Sequence, residues 1–303
     1  MEVTAFFNVP SVQAEPAPSF TQIREEPLFK RPAGGRCERI EGEALMFESQ
    51  REACVEAALA GGRVLLPYFR KLEPSAITEK SKNDYVSDAD RASEAAIKAE
   101  LDRRFPAYAF LGEESGRSGQ GSRTWIVDPL DGTLNFVQGF PHWCVSVALW
   151  DEAGPLAGCV WDPLREDLFA ASRGEGATWN GKPMSISSQG GLDGAFLATG
   201  FAFQLGERFR IYSKALESAF YRAKGIRRAG SAALDLSHVA AGIYDGFFEM
   251  GLQKWDLAAG VLLVQEAGGR ISDWQGGGDW TETGNVIAGS GRVQRELVEA
   301  FRG

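Results

Sequence analysis

The order of strand and helix patterns is the feature that most restricts how this chain can fold. Five short apolar strand patterns follow one another between Ala109 and Ala171, with turn residues between them. From Phe196 to Phe301, strand patterns alternate with helical patterns. A run of neighbouring strands followed by such alternation is typical of layered α/β (α+β) proteins, because each apolar sheet face must be covered. The sequence therefore predicts a layered sandwich of sheets and helices.

Two helical patterns precede the strands. Apolar residues recur at helical spacing from Phe47 to Phe69, and a second pattern opens at Ser87 or Asp88 and ends at Arg104. Residues 1–45 are rich in Pro, Glu and Gly and show no sustained periodicity, so we expect a disordered N-terminal extension there.

The remaining chain, residues 46–303, is expected to form one catalytic domain of two packed subdomains. A glycine-containing stretch around Gly190, Gly191 and Gly194 predicts a loop between the two halves, approximately 46–190 and 191–303. These glycines are too few to indicate an independent linker.

Composition excludes several classes of function. The formal net charge of -9 disfavours broad binding to a nucleic-acid backbone, so no direct nucleic-acid partner is expected. Four cysteines without a C-x-x-C pair and only two histidines disfavour a zinc site. No apolar stretch is long enough to span a membrane, and the N-terminus does not resemble a secretory signal. We expect a cytoplasmic protein that does not contact membranes.

The densest chemical signal is the segment from Trp125 to Phe136. An apolar strand pattern ends on Asp128, and Pro129 has no N–H, so it is not expected to continue a central ladder. Asp131 follows three residues later, before a glycine turn at Gly132. Thr133 is a candidate first residue of a short helix, and the free N–H groups of Gly132 and Thr133 would then bind an anion. Taken alone, the two aspartates fit turn formation and helix capping almost equally well.

Further acids follow the same pattern at other element ends. Glu113 and Glu114 end a second apolar strand pattern, and Asp256 begins an apolar helix, where N-capping is its simplest role. Asp84, Asp88 and Asp90 precede the second helix and are mostly expected to be caps and surface charges. Hard cations such as Mg²⁺ prefer oxygen ligands, and two ions can activate water and stabilise a leaving oxygen. The chain has the several carboxylates that this chemistry requires and does not depend on His or Cys.

Four motifs in order resemble the inositol monophosphatase family, most closely its bacterial SuhB-type branch. The similarity runs from about Phe47 to the C-terminus and is far more specific than one short pattern. The motifs are Asp84-Tyr85-Val86-Ser87-Asp88-Ala89-Asp90, Gly112-Glu113-Glu114-Ser115, Asp128-Pro129-Leu130-Asp131-Gly132-Thr133 and Trp255-Asp256-Leu257-Ala258-Ala259-Gly260.

The resemblance implies an αβαβα layered sandwich, two or three Mg²⁺ ions, sensitivity to lithium and a homodimer. It also implies residue roles. The metal ligands would be Glu113, Asp128, the Leu130 carbonyl, Asp131 and Asp256. The catalytic residues would be Asp90, Glu113 and Thr133, which orient the attacking water. The substrate-binding residues would be Asp131, Gly132, Thr133, Gly230, Ser231, Ala232, Glu249 and Asp256.

The implied activity is hydrolysis of a small phosphate monoester, with inositol monophosphate as the leading substrate. Relatives in the superfamily hydrolyse fructose 1,6-bisphosphate, 3'-phosphoadenosine 5'-phosphate or histidinol phosphate, and these remain alternatives. Lys254 precedes Trp255 where animal inositol phosphatases have Cys, and it is expected to border the substrate pocket and to favour a more anionic ligand.

A second class of function is a regulatory one. Some members of the resembled branch act with transcription antitermination factors on RNA polymerase. Several basic residues between positions 207 and 228 are candidates for a partner surface, although a solvated helix face and loop is the preferred interpretation. The complete set of acids favours catalysis and does not exclude this second role.

Overall fold

The structure, a computed structural model, describes residues 41–72, 77–81, 84–201 and 205–302. Its helices are α1 (Glu41–Leu65), α2 (Asp88–Arg104), α3 (Thr133–Val137), α4 (Phe209–Phe220), α5 (Ala232–Ala240), α6 (Lys254–Glu266), α7 (Trp280–Thr283) and α8 (Gly291–Arg302). Its strands are β1 (Ile77–Ser81), β2 (Asp84–Ser87), β3 (Ala109–Gly112), β4 (Gly116–Ser118), β5 (Thr124–Asp131), β6 (Cys144–Asp151), β7 (Gly154–Asp162), β8 (Asp167–Ser172), β9 (Gly176–Trp179), β10 (Lys182–Pro183), β11 (Phe196–Thr199), β12 (Gly225–Arg227), β13 (Gly246–Glu249), β14 (Arg270–Ser272) and β15 (Val286–Gly289).

Two large sheets form the frame. The first has the order β10-β9-β8-β7-β6-β5-β3-β4, and the second has the order β12-β11-β13-β15-β14. Strands β1 and β2 form a separate antiparallel pair. Strand β5 lies inside the first sheet, parallel to β3 and antiparallel to β6. The acids at its end are therefore attached to one of the most constrained strands of the molecule.

Helices cover both sheets in layers. Helices α1 and α2 pack on one face of the first sheet, α5 and α6 lie between the two sheets, and α4 and α8 cover the outer face of the second sheet. The layers follow the order α, β, α, β, α. The predicted layered αβαβα sandwich is thus confirmed.

Strand β13 shows why the central layers are apolar on both sides. Phe247 belongs to the core shared with α5 and α6, whereas the next residue, Phe248, belongs to the core under α4 and α8. Successive side chains of a strand point to opposite faces, so a strand covered on both faces is continuously apolar. All four residues of β13 are buried, including Glu249 at its end.

Most predicted elements are present, with two informative differences. Strand β5 does not stop at Pro129: Asp128 pairs with Ser146 and Asp131 pairs with Cys144, so three steps on β5 oppose two on β6. This bulge accommodates the missing N–H of Pro129. Helix α6 begins at Lys254, earlier than expected, so Asp256 is its third residue and not its N-cap.

The predicted extension, residues 1–45, lies outside the described residues up to position 40, and α1 begins at Glu41. The division into subdomains at about residue 190 stays a prediction. No helix in the described part of the chain is long and apolar enough to cross a membrane.

Candidate active site

The bulge at the end of β5 places two buried carboxylates close together. Asp128 is 2% exposed, and its Oδ1 accepts a hydrogen bond from the Leu130 amide at 2.9 Å. Burial raises the pKa of Asp128 well above its usual value, and the charges of Glu113, Asp131 and Asp256 raise it further. Acids from three separate elements therefore act on one another in a single space. The charges that act most strongly on Asp128 are all negative.

Asp131 is held by the start of α5. Its Oδ2 accepts hydrogen bonds from the Ser231 hydroxyl at 2.6 Å and from the Ala233 amide at 2.7 Å. Burial raises the pKa of Asp131, and these hydrogen bonds act in the opposite direction. One carboxylate oxygen is thus used to anchor Asp131, which joins the two halves of the site.

Asp256 comes from the first turn of α6. Its Oδ2 accepts a hydrogen bond from the Gln253 amide at 2.7 Å, which is half of a capping box. Burial raises the pKa of Asp256 well above its usual value, and the charges of Asp131 and Glu113 add to this effect. The helix start fixes this carboxylate and directs it towards the acids of β5.

A glycine turn follows Asp131. Gly132 has a φ of 92°, in the left-handed region that favours glycine, and α3 begins at Thr133 as predicted. A Cβ at Gly132 would lie 3.0 Å from the His142 carbonyl oxygen and 3.2 Å from that of Gly230. The turn therefore requires glycine for both its conformation and its close contact with the second half of the molecule.

Thr133 and Asp90 form a polar pair beside this turn. The Thr133 hydroxyl lies 2.9 Å from the Leu130 carbonyl oxygen and 3.3 Å from Asp90 Oδ1, and its one proton can be donated to either. Asp90 Oδ2 accepts hydrogen bonds from both the amide and the hydroxyl of Ser87. Burial raises the pKa of Asp90 to about 6, while the hydrogen bonds from Ser87 limit the rise. Asp90 is fully buried and is not one of the surface charges expected near this helix.

Glu249 lies at the end of β13, in the second sheet. Burial raises its pKa to about 8, the nearby Arg228 guanidinium lowers it, and Asp131 raises it. A Cβ on Gly200 would lie 2.1 Å from Glu249 Oε2, so a larger residue there would force this carboxylate to move. The predicted pocket residues Gly230, Ser231 and Ala232 lie at the start of α5, where Ser231 is the N-cap and Ala232 is the first helical residue.

Sequence reasoning missed several residues that shape the site. Asp235 is 1% exposed, and its Oδ1 has no hydrogen-bond partner in the described structure. Asn135 Nδ2 donates to the carbonyl oxygens of His142, Ala229 and Gly230, which ties α3 to the pocket segment. Glu94 is buried one helical turn after Asp90. The spacing of Asp90 and Glu94 on one helix face was a usable signal, whereas the roles of Asn135 and Asp235 depend on distant segments.

Lys254 is not placed among the acids. Its ammonium lies 4.9 Å from the centre of the Trp150 ring. It lines a groove of about 500 Å³ with Trp150, Arg173 and Trp280, and none of the predicted metal ligands lines this groove. The expectation that Lys254 borders the substrate pocket stays a prediction.

The predicted metal ligands fit a divalent cation in their chemistry. Carboxylates and a carbonyl oxygen are the donors that Mg²⁺ prefers, and a cation would neutralise the mutual repulsion of the buried acids. No group of three or more His, Cys, Asp or Glu side chains in the described part of the chain is arranged to hold a metal ion. The fit therefore rests on the donor types and their shared electrostatics, and the ligand set stays a prediction.

The chain combines a layered α/β fold with buried acids at a strand end beside a glycine turn. This chain belongs to the inositol monophosphatase family, whose model matches residues 47–303. The similarity predicted from the four motifs is thus confirmed over the range expected from the sequence.

Individual relatives agree with this assignment. The chain is 43% identical over 253 residues to the Nus factor SuhB of Xylella fastidiosa, covering 82% of this chain and 92% of that protein. It is 40% identical over 250 residues to the Nus factor SuhB of Escherichia coli strain K12, covering 82% of this chain and 94% of that protein. Among solved structures, SuhB from Bartonella henselae matches with a TM-score of 0.80 at 39% identity, covering 84% of this chain and 98% of that one. The inositol monophosphatase from Anabaena matches with a TM-score of 0.76 at 35% identity, covering 85% of this chain and 96% of that one.

Proposed function

We propose that this chain is a Mg²⁺-dependent phosphate monoester hydrolase with inositol 1-phosphate as its preferred substrate. The observation that carries this proposal is the convergence of Asp128, Asp131 and Asp256, whose negative charges act on one another beside the Gly132 turn. Buried acids that repel one another lower stability unless a cation or a proton neutralises them. Family membership favours the cation and the phosphatase reaction.

The ligands divide into two groups. Glu113, Asp128 and the Leu130 carbonyl would hold a first ion, and Asp128, Asp131 and Asp256 would hold a second; Glu113 would also contact a third, weaker ion. When bound, Mg²⁺ lowers the pKa of a water molecule and neutralises charge on the phosphate. The backbone amides of Gly132 and Thr133 would hold the phosphate oxygens.

The chain's own polar groups would orient the reactants. When the Thr133 hydroxyl donates its proton to Asp90, its lone pairs remain free to accept a hydrogen bond from the attacking water. Gly230, Ser231, Ala232 and Glu249 would contact the polyol part of the substrate, with Glu249 accepting hydrogen bonds from its hydroxyl groups. We also infer inhibition by lithium, a homodimer and a cytoplasmic location from family membership.

The decisive experiment measures phosphate release from three substrates: inositol 1-phosphate, fructose 1,6-bisphosphate and 3'-phosphoadenosine 5'-phosphate. Each is assayed with Mg²⁺, with EDTA, and with Mg²⁺ plus Li⁺. Turnover that requires Mg²⁺, is inhibited by Li⁺ and is fastest with inositol 1-phosphate is the expected result. A different fastest substrate would retain the reaction and reject the substrate, and no turnover of any substrate would count against catalysis.

Asp128→Asn tests the shared ligand. We expect this change to abolish turnover, because Asp128 is assigned to both ions and an amide binds Mg²⁺ more weakly than a carboxylate does. Calorimetric titration with Mg²⁺ and phosphate release at saturating Mg²⁺ are the measurements. Wild-type activity in this variant would show that the metal assignment is wrong.

A regulatory role is the second candidate. The relatives named Nus factor SuhB favour it, together with four exposed apolar or aromatic side chains on and after α4. Phe209, Ile211, Phe220 and Tyr221 are 47%, 56%, 67% and 77% exposed, and several basic residues are near them in the sequence. Co-purification with transcription antitermination factors, repeated with Asp128→Asn protein, separates the two roles. Binding that persists without activity would support the regulatory role, whereas no binding by either protein would remove it.

A further inference from the structure

One face of α2 contacts two of the sequence motifs at once. Asp90, Ser93 and Glu94 lie at the spacing of one helix face. Asp90 faces the Thr133 hydroxyl, and the Ser93 hydroxyl donates to the Pro129 carbonyl at 3.0 Å. Glu94 accepts hydrogen bonds from the backbone amides of Glu114 and Ser115, each at 2.9 Å. The helix thus forms a rigid element against which the segments carrying the predicted ligands are aligned.

Glu94 is the most constrained of these three side chains. The residue is 4% exposed, and its two carboxylate oxygens each accept one backbone amide of the turn after β3. Among the described residues, no Lys, Arg or His forms an ion pair with it. A buried carboxylate whose hydrogen bonds go to a turn is a device for fixing that turn, because leaving its lone pairs unsatisfied would be costly.

The backbone of Glu113 is fixed from both sides. Its own amide donates to the Val127 carbonyl at 3.2 Å, which attaches it to β5. The next two amides are bound by Glu94. The residue before it is Gly112, where a Cβ would lie 2.2 Å from Glu94 Oε2. The absence of a side chain at Gly112 is therefore what allows the Glu94 carboxylate to reach the turn.

We propose that Glu94 is a positioning residue that fixes the turn of Glu113, and thereby the affinity of the active site for its divalent cation. The proposal rests on the proposed function, in which Glu113 is a metal ligand. Glu94 itself contacts neither the cation nor the substrate. Residues behind a metal ligand typically change metal affinity by about 10- to 100-fold when they are altered.

The first test is Glu94→Gln, which preserves the size of the side chain. An amide retains one acceptor oxygen and directs its NH₂ group at a backbone N–H, so one of the two hydrogen bonds is lost. We expect the Kd for Mg²⁺, measured by calorimetry without substrate, to rise about 10-fold or more. The Mg²⁺ concentration for half-maximal turnover should rise in parallel, while kcat at saturating Mg²⁺ stays within about threefold of wild type, because no catalytic group is removed.

Glu100→Gln is the matched control. Glu100 lies on the same helix, but its carboxylate pairs with Arg103 and Arg104 at the protein surface. This variant should bind Mg²⁺ with wild-type affinity. A Kd increase in both variants would show a general effect of α2 and would overturn the specific role of Glu94.

Two further measurements keep the test independent of the stability of one variant. Gly112→Ala would place a methyl group against the same carboxylate. It should also raise the Kd for Mg²⁺. Hydrogen exchange at the Glu114 and Ser115 amides should accelerate in Glu94→Gln protein, which a general loss of stability would not confine to these two positions.

The outcomes separate this proposal from the proposed function. Unchanged Mg²⁺ affinity in Glu94→Gln and Gly112→Ala proteins would overturn the positioning role alone. Absence of Mg²⁺ binding by the wild-type protein would overturn the metal assignment, and the positioning role with it.

Discussion

At the scale of single residues, several carboxylates of this protein raise one another's pKa values. Asp128, Asp131 and Asp256 belong to the candidate site, where repulsion among acids is the physical basis of the proposed cation binding. Asp235 differs, because no role in the proposed chemistry requires its charge. Its effect on stability can therefore be separated from function.

Asp235→Asn is expected to stabilise the metal-free protein at pH 7. Burial raises the pKa of Asp235 well above its usual value, the charges of Glu249 and Asp131 raise it further, and Arg228 only partly offsets them. A carboxyl with a raised pKa in the folded state contributes stability below its unfolded pKa of about 3.9, and this contribution is lost as the pH rises. The variant has no carboxyl to titrate, so its free energy of unfolding at pH 7 should exceed that of wild type.

The measurement is urea unfolding in EDTA at pH 5 and at pH 7. The difference between the variant and wild type should be larger at pH 7. Asp102→Asn, which alters an exposed partner of Lys98, is the control and should change the free energy of unfolding by less than about 0.5 kcal/mol. Lower stability of Asp235→Asn at pH 7 would contradict the prediction.

At the scale of elements, short contacts determine how helices are placed against the sheets. The Asn135 side chain attaches α3 to the segment at Ala229 and Gly230, and α1 packs closely against β7 at Gly62. Both arrangements depend on atoms that are far apart in the sequence. They can be tested separately, because neither contains a predicted metal ligand.

Asn135→Ala is expected to loosen α3. The Asn135 side chain donates to three carbonyl oxygens, at 2.7 Å, 2.9 Å and 3.3 Å. Its removal leaves at least two carbonyls without this donor, and we expect a loss on the order of 2 kcal/mol in the free energy of unfolding. KM should rise more than kcat falls, because Asn135 would no longer hold the Gly132 turn against the segment at Gly230.

Thermal and urea unfolding, together with steady-state kinetics, check this outcome. Asn285→Ala is a suitable control, since the Asn285 side chain meets the exposed Arg208. It should change stability by less than about 0.5 kcal/mol. Equal effects of the two substitutions would reject the anchoring role of Asn135.

Gly62→Ala has two opposite effects on the free energy of unfolding: it raises the helix propensity of α1, and it crowds the packing of α1 against β7. In an exposed helix interior, this change would stabilise by about 1 kcal/mol. In α1, however, the new Cβ would lie 2.3 Å from Cζ3 of Trp161, and the overpacking should cost about 1–3 kcal/mol. We therefore expect net destabilisation.

Gly190→Ala provides the comparison in urea unfolding experiments. A Cβ at this position meets no atom within 4 Å. This substitution should be neutral or slightly stabilising. A stabilising Gly62→Ala would mean that α1 can move away from β7 at little cost.

At the scale of the whole molecule, acid stability depends on groups buried without charge between the layers. The rings of His142 and His238 lie 6.2 Å apart. Burial lowers the pKa of each to about 4; for His142 the second cause is the positive charge of His238, and for both Arg165 acts in the same direction. Their effect on the change of stability with pH is opposite to that of the buried carboxyl groups, whose pKa values are raised.

The two histidines should make the fold sensitive to acid. A lowered pKa means that the unfolded chain binds more protons below pH 6.5, so stability is lost as the pH falls from about 6.5 to about 4. Each histidine contributes at most about 1.4 kcal/mol per pH unit in this window. The double variant His142→Gln/His238→Gln should therefore lose less stability than wild type between pH 7 and pH 4.5.

Urea unfolding in EDTA across this pH range measures the difference. The comparison between variant and wild type cancels the opposing carboxyl groups, which both proteins share. Parallel pH profiles of the two proteins would contradict the prediction.

Local signals in the sequence were sufficient for much of the fold. Ser87 caps α2 and Thr133 begins α3, as their residue types predict. Both features depend on hydrogen bonds within three or four residues, which a local pattern encodes. The bulge around Pro129 was not predictable in this way, because it is defined by pairing with Cys144 and Ser146 on another strand.

The sequence by itself determined the layered fold class, the family and the set of acids at element ends, because these follow from periodicity and from motifs of adjacent residues. Only the tertiary structure decided that Asp90 is buried, that Asp235 Oδ1 has no hydrogen-bond partner among the described residues, and that Glu94 accepts hydrogen bonds from the turn after Glu113. Burial and electrostatic repulsion depend on distances between segments that are remote along the chain. No local pattern specifies those distances until the sheets and helices have packed.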